Sequence, residues 1–188
     1  VDYKKDNSPL TKADIKSNEI ITESLKDLYP EIPILSEENK EVPYNIRKNW
    51  EYFWLIDPLD GTKEFVKKNG EFTVNIALIY KNIPVLGVIY APTLNLLYYA
   101  HKDRGAFKQE KNKKPQRLPI YKHAKDDAFK VIVSKSHYNQ ETKDFVDNLK
   151  RQYEKIEFIN IGSSLKFCLI AEGKADIYPR LAPTMEWD

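Results

Sequence analysis

Residues 57–62, Asp-Pro-Leu-Asp-Gly-Thr, constrain this chain more than any other segment. They follow an aromatic-rich run, residues 52–56, that is typical of a β-strand. Asp57 and Asp60 are therefore expected at a strand end, and Gly61 and Thr62 where a helix can begin. Carboxylates bind hard divalent cations, and helix N-termini bind phosphate oxygens. The segment predicts a site where cation and anion meet, although an Asp-Gly hairpin turn remains the alternative.

Two further acidic segments favour the first interpretation. Glu37 and Glu38 follow the apolar residues 32–36, and Trp187-Asp188 follows a proline-punctuated loop. Either segment alone is more typical of a solvated loop or a surface turn. Three acidic segments are harder to dismiss together, because strand ends of one sheet can converge. Magnesium needs few protein carboxylates and keeps several waters, so open clusters of this kind suit it.

Composition limits the class of protein. A chain of 188 residues predicts one domain, or two small lobes that share a core. The formal charge of +2 is too small to indicate nucleic-acid or membrane binding. The single cysteine, Cys168, excludes an intramolecular disulfide and fits a reducing cytosol. Because it lies in the apolar run 167–170, a buried and unreactive thiol is expected.

The first two thirds of the chain read as a helix followed by a sheet. Helical spacing begins near Thr11 or Asp14 and stops at Pro30. Three apolar runs separated by short turns predict an antiparallel meander, with a further short strand after Gly105. The meander strands and the remaining elements are expected at 72–80, 85–90 and 96–100, with a helix at 62–68, a loop at 39–49 and an exposed excursion at 108–117.

The last third alternates between strand and helix. We expect strands at 131–133 and 155–161, and helices at 140–151 and 165–172, the last capped by Gly173. Such alternation is typical of an α/β layer. The sequence therefore predicts an α+β lobe over residues 1–124, with the metal site and the antiparallel sheet. An α/β lobe is expected over residues 125–188.

Several other chemistries have no support in the sequence. His101, His123, His137 and Cys168 are scattered without zinc-ligand spacing. There is no G-x-S-x-G segment and no Walker A segment. Residues 162–166, Gly-Ser-Ser-Leu-Lys, open a predicted helix and could hold an anion, although this signal is weak alone.

The chain resembles the lithium-sensitive, magnesium-dependent phosphomonoesterases of the inositol monophosphatase superfamily. Within it, the chain is most similar to the 3′(2′),5′-bisphosphate nucleotidase branch. The resemblance implies a layered αβαβα sandwich, and the family pattern continues beyond both ends of this sequence. The segments that carry the resemblance are Ile34–Glu38, Trp54–Phe65, Asn69–Leu78, Ile161–Leu169, Ala171–Gly173, Tyr178–Arg180 and Pro183–Thr184.

The resemblance also implies roles for individual residues. The metal ligands would be Glu37, Asp57, the Leu59 carbonyl, Asp60 and Asp188. The catalytic residues would be Glu37 and the pair formed by Asp14 and the Thr62 hydroxyl, which orients or deprotonates a water. Asp14 could instead be only a helix N-terminal charge. The substrate would contact Gly61, Thr62, Ser134, His137, Gly162, Lys166 and Arg180, of which His137 and Lys166 could also be ordinary surface residues.

The activity implied by the resemblance is magnesium-dependent hydrolysis of 3′-phosphoadenosine 5′-phosphate to AMP and phosphate, in sulfate assimilation or nucleotide recycling. The phosphosulfate analogue, 3′-phosphoadenylyl sulfate, is a further expected substrate. The expected cofactor is two or three Mg²⁺ ions, with lithium as an inhibitor. An inositol or sugar-phosphate phosphatase is the alternative, and a non-catalytic nucleotide sensor a more remote one.

The expected partner is this small nucleotide, without nucleic acid and without an implied protein partner; the oligomeric state is left open. The expected location is the cytoplasm, with peripheral attachment to the cytoplasmic face of the inner membrane as an additional hypothesis.

Overall fold

The computed structural model describes residues 2–3, 9–122, 127–134 and 139–187. Two predicted site residues, His137 and Asp188, lie outside the described residues. The helices are α1 (Lys12–Leu28), α2 (Tyr44–Arg47), α3 (Thr62–Val66), α4 (Gln140–Gln152) and α5 (Leu165–Glu172). The strands are β1 (Asp2–Tyr3), β2 (Pro9–Leu10), β3 (Ile34–Ser36), β4 (Tyr52–Asp60), β5 (Thr73–Tyr80), β6 (Ile83–Ala91), β7 (Leu96–His101), β8 (Gly105–Glu110), β9 (Gln116–Arg117), β10 (Phe129–Val133) and β11 (Ile156–Asn160).

A seven-stranded sheet forms the centre of the fold, in the order β3-β4-β5-β6-β7-β8-β9. Strand β3 is parallel to β4, and every other neighbouring pair is antiparallel. The predicted meander and the short strand after Gly105 are therefore confirmed. The apolar runs pair in sequence order because tight turns separate them.

Strand β4 is longer than predicted. It was expected to end at Ile56 but runs to Asp60, and its register with β5 shifts between Asp57 and Asp60. Pro58 contributes to this irregularity, because proline has no N–H to donate to the ladder. The two aspartates thus lie at a bulge of a central strand rather than beyond the end of an ordinary one.

Helix α1 begins where its sequence predicts. Thr11 is the N-cap, and its side chain and that of Asp14 form a reciprocal capping box. The buried face of α1 is polar, since Asp14, Asn18 and Thr22 are its buried residues. This face packs against β4, and α1 forms hydrogen bonds with the sheet: Asn18 Oδ1 accepts the Ser36 hydroxyl of β3 at 2.7 Å, and the Ser17 hydroxyl donates to the Pro58 carbonyl of β4 at 2.8 Å.

The last third of the chain alternates as predicted. Strands β10 and β11 pair in parallel, and α4 connects them. A small core of Val131, Val146 and Leu149 lies between this sheet and α4. Helix α5 ends at Gly173, which adopts the left-handed conformation expected of a C-cap. Unlike α4, α5 packs against the seven-stranded sheet.

That packing defines a second core cluster. Leu165 and Cys168 of α5 lie against Ala91 and Tyr98 of the meander. Cys168 is 2% exposed and unpaired with another cysteine, which confirms the buried thiol. Burial raises the pKa of this thiol to about 12, so it is protonated and unreactive near neutral pH.

Three local predictions are wrong in part. The predicted loop 39–49 contains the short helix α2, and the helix expected at 62–68 ends at Val66. The predicted exposed excursion 108–117 begins inside β8, where Lys108 is 6% exposed. Lys108 is buried because its ammonium group meets the carboxylate of Glu172, a partner 64 residues away that the local sequence does not reveal.

None of the helices among the described residues combines the length and the apolar character needed to cross a membrane.

Candidate active site

The parallel pairing of β3 with β4 brings two predicted ligands together. Ser36 is in register with Ile56, and the Glu37 N–H donates to the Ile56 carbonyl at 3.1 Å. Glu37 therefore lies beside Asp57, on the neighbouring strand. Asp57 is 2% exposed, and its Oδ1 accepts a hydrogen bond from the Leu59 N–H at 3.0 Å.

Asp57, Asp60 and Glu37 form a carboxylate cluster, and negative charge on the buried Asp57 is unfavourable there. Burial, together with the neighbouring carboxylates of Asp60 and Glu37, raises the pKa of Asp57 to about 10. A carboxylate in such surroundings either holds a proton or lies near a cation. A divalent cation near this cluster would supply the opposite charge.

Asp60 connects the bulge of β4 to α5. Its Oδ2 accepts hydrogen bonds from the Thr73 hydroxyl at 3.4 Å and from the backbone N–H of Ser164. Ser164 is the N-cap residue of α5, so the carboxylate lies at the helix end where backbone N–H groups are available. The Ser164 hydroxyl also contacts Thr73 at 2.7 Å and Asn75 at 2.9 Å.

The structure brings Asp14 and Thr62 together across 48 residues of sequence. The Thr62 hydroxyl lies 3.1 Å from Asp14 Oδ1 and 3.4 Å from the Leu59 carbonyl. The second oxygen of Asp14, Oδ2, accepts the Thr11 N–H at 2.8 Å. Asp14 is 1% exposed. Its two oxygens thus perform different tasks, one capping α1 and the other holding Thr62, so the helix-capping alternative and the predicted pair both describe real contacts.

Two glycines allow the β4 bulge and the segment before α5 to approach each other. Gly61 has a φ of +90°, and a Cβ there would lie 3.1 Å from the Glu71 carbonyl and 3.2 Å from Ser163 Cβ, in the segment before α5. At Gly162 a Cβ would lie 2.7 Å from Glu64 Cγ and 2.9 Å from the Glu71 carbonyl. The Gly162 N–H also donates to Glu71 Oε2 at 2.8 Å. A side chain at either glycine would push the two walls apart.

Between these walls lies a polar cleft of about 320 Å³. Five of the residues predicted to contact substrate, and Asp60, line it: Asp60, Gly61, Thr62, Ser134, Gly162 and Lys166. The side chain of Lys166 is half-buried, and its ammonium group lies 5.6 Å from the centre of the Tyr178 ring.

Sequence reasoning missed several residues that line the same cleft, namely Lys63, Glu64, Lys67, Asn69 and Glu71. Lys63 and Lys67 lie four residues apart, and this helical spacing was the signal that could have placed them on one face of the segment after Thr62.

The structure does not bring every predicted residue to the cleft. Arg180 is not among the lining residues; its Nη2 lies 3.4 Å from the Pro183 carbonyl. Glu37, Asp57 and Asp14 are not among the lining residues either. A second cavity, of about 400 Å³, follows the sheet beside Phe167 and Cys168 and is mainly apolar. We place the candidate site in the polar cleft, because Asp60, Thr62 and Lys166 line it together.

All of the candidate metal donors are hard oxygen atoms, which suit magnesium. Within the described ranges, however, no three His, Cys, Asp or Glu side chains are grouped so that they could hold a metal ion. The Ser164 N–H already engages Asp60, and the fifth predicted ligand, Asp188, is outside those ranges. Among the described donors, Asp60 and Glu37 lie close enough to Asp57 to raise its pKa.

Comparison with known proteins is consistent with this geometry. The profile of the inositol monophosphatase family matches residues 1–188. The 3′(2′),5′-bisphosphate nucleotidase CysQ of Salmonella typhimurium is 46% identical over 191 residues, covering 98% of this chain and 71% of that protein. The CysQ protein of Buchnera aphidicola is 48% identical, covering 100% of this chain and 68% of the relative.

A solved structure extends the likeness to the fold. The crystal structure of CysQ from Bacteroides thetaiotaomicron superposes with a TM-score of 0.86 at 45% identity, covering 98% of this chain and 72% of that chain. The predicted layered α+β fold is thereby confirmed. Because the family profile spans the whole sequence and the relatives share nearly half of its residues, the chain belongs to the inositol monophosphatase family.

Proposed function

We propose that this chain is a magnesium-dependent phosphomonoesterase that removes the 3′-phosphate of 3′-phosphoadenosine 5′-phosphate, with AMP and phosphate as products. The phosphosulfate analogue, 3′-phosphoadenylyl sulfate, is a second proposed substrate. Its family comprises metal-dependent phosphatases, and the relatives of 46–48% identity carry the name of this activity. The observation that carries the proposal is the polar cleft in which Asp60 and Thr62 face Gly162 and Lys166.

Two or three magnesium ions would be held by Glu37, Asp57, the Leu59 carbonyl, Asp60 and Asp188. Bound magnesium lowers the pKa of water and neutralises phosphate oxygens. The raised pKa of Asp57 supports this assignment, because the cluster is built to receive positive charge. Lithium is the proposed inhibitor at the same oxygen donors.

The attacking water would be oriented by Thr62 and Asp14. The Thr62 hydroxyl donates to Asp14 Oδ1, and its oxygen lone pairs are then available to accept a proton from the water. Asp14 can receive the hydroxyl proton as the hydroxyl takes one, so the pair relays a proton without net change at Thr62. The backbone N–H groups of Gly61 and Thr62 would hold the oxygens of the scissile phosphate.

The second phosphate would lie on the opposite wall. Lys166, Ser134 and Gly162 line this part of the cleft, and Lys63 and Lys67 add positive charge to its rim. Inositol monophosphate bears a single phosphate and would leave this wall without an anionic partner. The arrangement therefore favours the bisphosphate nucleotide over inositol monophosphate. His137 and Arg180 remain proposed contacts of the nucleotide.

The deciding experiment is phosphate release by the purified protein with and without magnesium. Three substrates are compared: 3′-phosphoadenosine 5′-phosphate, its phosphosulfate analogue and inositol 1-phosphate. We expect magnesium-dependent release with a clear preference for the bisphosphate nucleotide, and inhibition by millimolar-scale lithium. Preference for inositol 1-phosphate would favour the alternative phosphatase. Nucleotide binding without hydrolysis would favour the sensor.

We also propose that residues 1–124 and 125–188 divide the work, the first lobe supplying the metal site and the second the selectivity. The single, buried Cys168 supports a reducing, cytoplasmic location for the reaction.

A further inference from the structure

A buried charge cluster surrounds Glu172, the last residue of α5, outside the cleft. Glu172 is 1% exposed. Its Oε1 accepts the Tyr98 hydroxyl at 2.6 Å, and its Oε2 lies 3.1 Å from the ammonium groups of both Lys108 and Lys174. The proposed mechanism uses none of these groups. A buried carboxylate is costly to desolvate, and three partners around one carboxylate call for an explanation.

Helix α5 is anchored at both ends to the seven-stranded sheet. At its start, Ser164 contacts Asp60 through its N–H, and Thr73 and Asn75 through its hydroxyl. At its end, Glu172 contacts Tyr98 of β7 and Lys108 of β8. The start is therefore attached to the metal-site strands, and the end to strands on the far side of the meander.

The two anchors are mechanically linked. Helix α5 has 8 residues, so its ends lie about 12 Å apart at a rise of ~1.5 Å per residue, and its hydrogen bonds keep that length constant. Lys166 lies near the start of this helix and lines the cleft. A displacement at Glu172 is consequently passed on to Lys166 and to Ser164.

Buried ion pairs contribute little net stability compared with apolar packing, and their best-attested use is to fix one arrangement among several. We propose that Glu172 is a positioning residue: by holding the end of α5 on Tyr98 and Lys108, it sets the place of Lys166 in the cleft. The inference rests on the proposed function, since it is Lys166 that would bind the second phosphate.

The test compares three variants. Glu172→Gln keeps the shape of the side chain and removes its charge, whereas Tyr98→Phe removes one hydrogen bond to the carboxylate, leaves both lysine contacts in place and is the milder change. Glu110→Gln is the matched control, because Glu110 lies 3.7 Å from Lys108 but is not a partner of α5 in the cluster. We expect KM for 3′-phosphoadenosine 5′-phosphate to rise about tenfold in Glu172→Gln, less in Tyr98→Phe, and not in Glu110→Gln.

A purely structural role would give a different pattern. Loss of folded protein lowers the apparent kcat on every substrate but leaves KM unchanged, so an unchanged KM with a lowered Tm in both Glu172→Gln and Tyr98→Phe would overturn the proposal. KM for inositol 1-phosphate serves as the internal reference, and a rise there equal to that for the nucleotide would also overturn it.

The single cysteine supplies a readout that needs no activity. Cys168 lies in α5 and is 2% exposed. Its rate of modification by a thiol reagent under native conditions therefore reports whether α5 stays packed on the seven-stranded sheet. We expect faster modification in Glu172→Gln and Tyr98→Phe than in wild type or Glu110→Gln, at temperatures where all are folded. Should the wild type hydrolyse none of the substrates, the proposed function fails, and these rates decide the positioning role alone; equal rates would refute it.

Discussion

Replacing Gly162 by alanine tests whether the close approach of the two cleft walls is needed. The added Cβ would lie 2.7 Å from Glu64 Cγ, 2.9 Å from the Glu71 carbonyl and 3.0 Å from Glu71 Cβ. One of these atoms belongs to the backbone, so relief requires the segment before α5 to move. Moving it also stretches the hydrogen bond from the Gly162 N–H to Glu71 Oε2, now 2.8 Å long.

The expected cost follows from these distances. Overpacking of this kind costs about 1–3 kcal/mol, and in a chain of this size each kcal/mol lowers Tm by about 2–4 °C. We therefore expect Gly162→Ala to lower Tm by about 2–12 °C. Breaking the hydrogen bond to the Glu71 carboxylate would add about 1.5–3 kcal/mol. Because Lys166 follows four residues later, KM for the bisphosphate nucleotide should rise as well.

The matched control is Gly87→Ala. Gly87 lies in β6, and a Cβ there meets no atom within 4 Å, so the same chemical change enters open space. Thermal unfolding followed by circular dichroism and steady-state phosphate release are measured for both variants. A Gly162→Ala protein as stable and as active as Gly87→Ala would refute the argument that the walls meet at Gly162.

Three further predictions concern the charged groups. Asp60→Asn should remove most activity while the protein stays folded, because it deletes a charge aimed at the cations; activity retained at ordinary magnesium levels would exclude Asp60 as a ligand. Lys166→Ala should raise KM for the bisphosphate nucleotide by roughly 10- to 150-fold, the equivalent of ~1.5–3 kcal/mol, and leave inositol 1-phosphate unaffected. Lys150→Ala is its control, since Lys150 also lies over an aromatic ring, that of Phe158, but in another part of the molecule; equal losses on both substrates would remove Lys166 from the second-phosphate site. Asp57 in the metal-free protein has its pKa raised from 3.8 to about 10, so between these values the folded state holds a proton that the unfolded chain has lost. Its stability in chelator should therefore fall as pH rises above about 4, more steeply than for Asp57→Asn; magnesium should reverse the trend, and parallel pH profiles of the two proteins would contradict the assignment.

Much of the fold was predictable because its signals are local. Thr11 or Asp14 was expected at the start of α1, and the structure shows both there as a capping box; Gly173 was expected to cap the end of α5, and it does so with a positive φ. The meander followed from apolar runs separated by short turns. The bulge in β4 was less accessible, because an Asp-Pro step after a strand is equally compatible with a strand end.

The candidate site, like the fold, could be predicted from the sequence only where its signals are local. The side chains of residues 57–62 indicated a metal and a phosphate from sequence alone. The hydrogen bond from the Ser164 N–H to the Asp60 carboxylate could not be predicted, because Ser164 is 104 residues away in sequence. Lys63, Lys67 and Glu71 were missed because a charged residue in a short helix or loop is usually solvated, and only the neighbouring wall makes it part of a cleft.

The sequence by itself determined which functional groups this protein carries, namely the oxygen donors around Asp57 and the glycines near them. It also determined the family to which the chain belongs. Those properties lie in side-chain identity and short spacing, which a chain carries before it folds. Only the tertiary structure decided that Lys108 is a buried partner of Glu172, that α5 packs on the sheet of the first lobe, and that one oxygen of Asp14 caps a helix while the other holds Thr62. Each of these depends on a contact between residues distant in sequence, and the favourable energy of such contacts exists only once the chain between them has been brought into place.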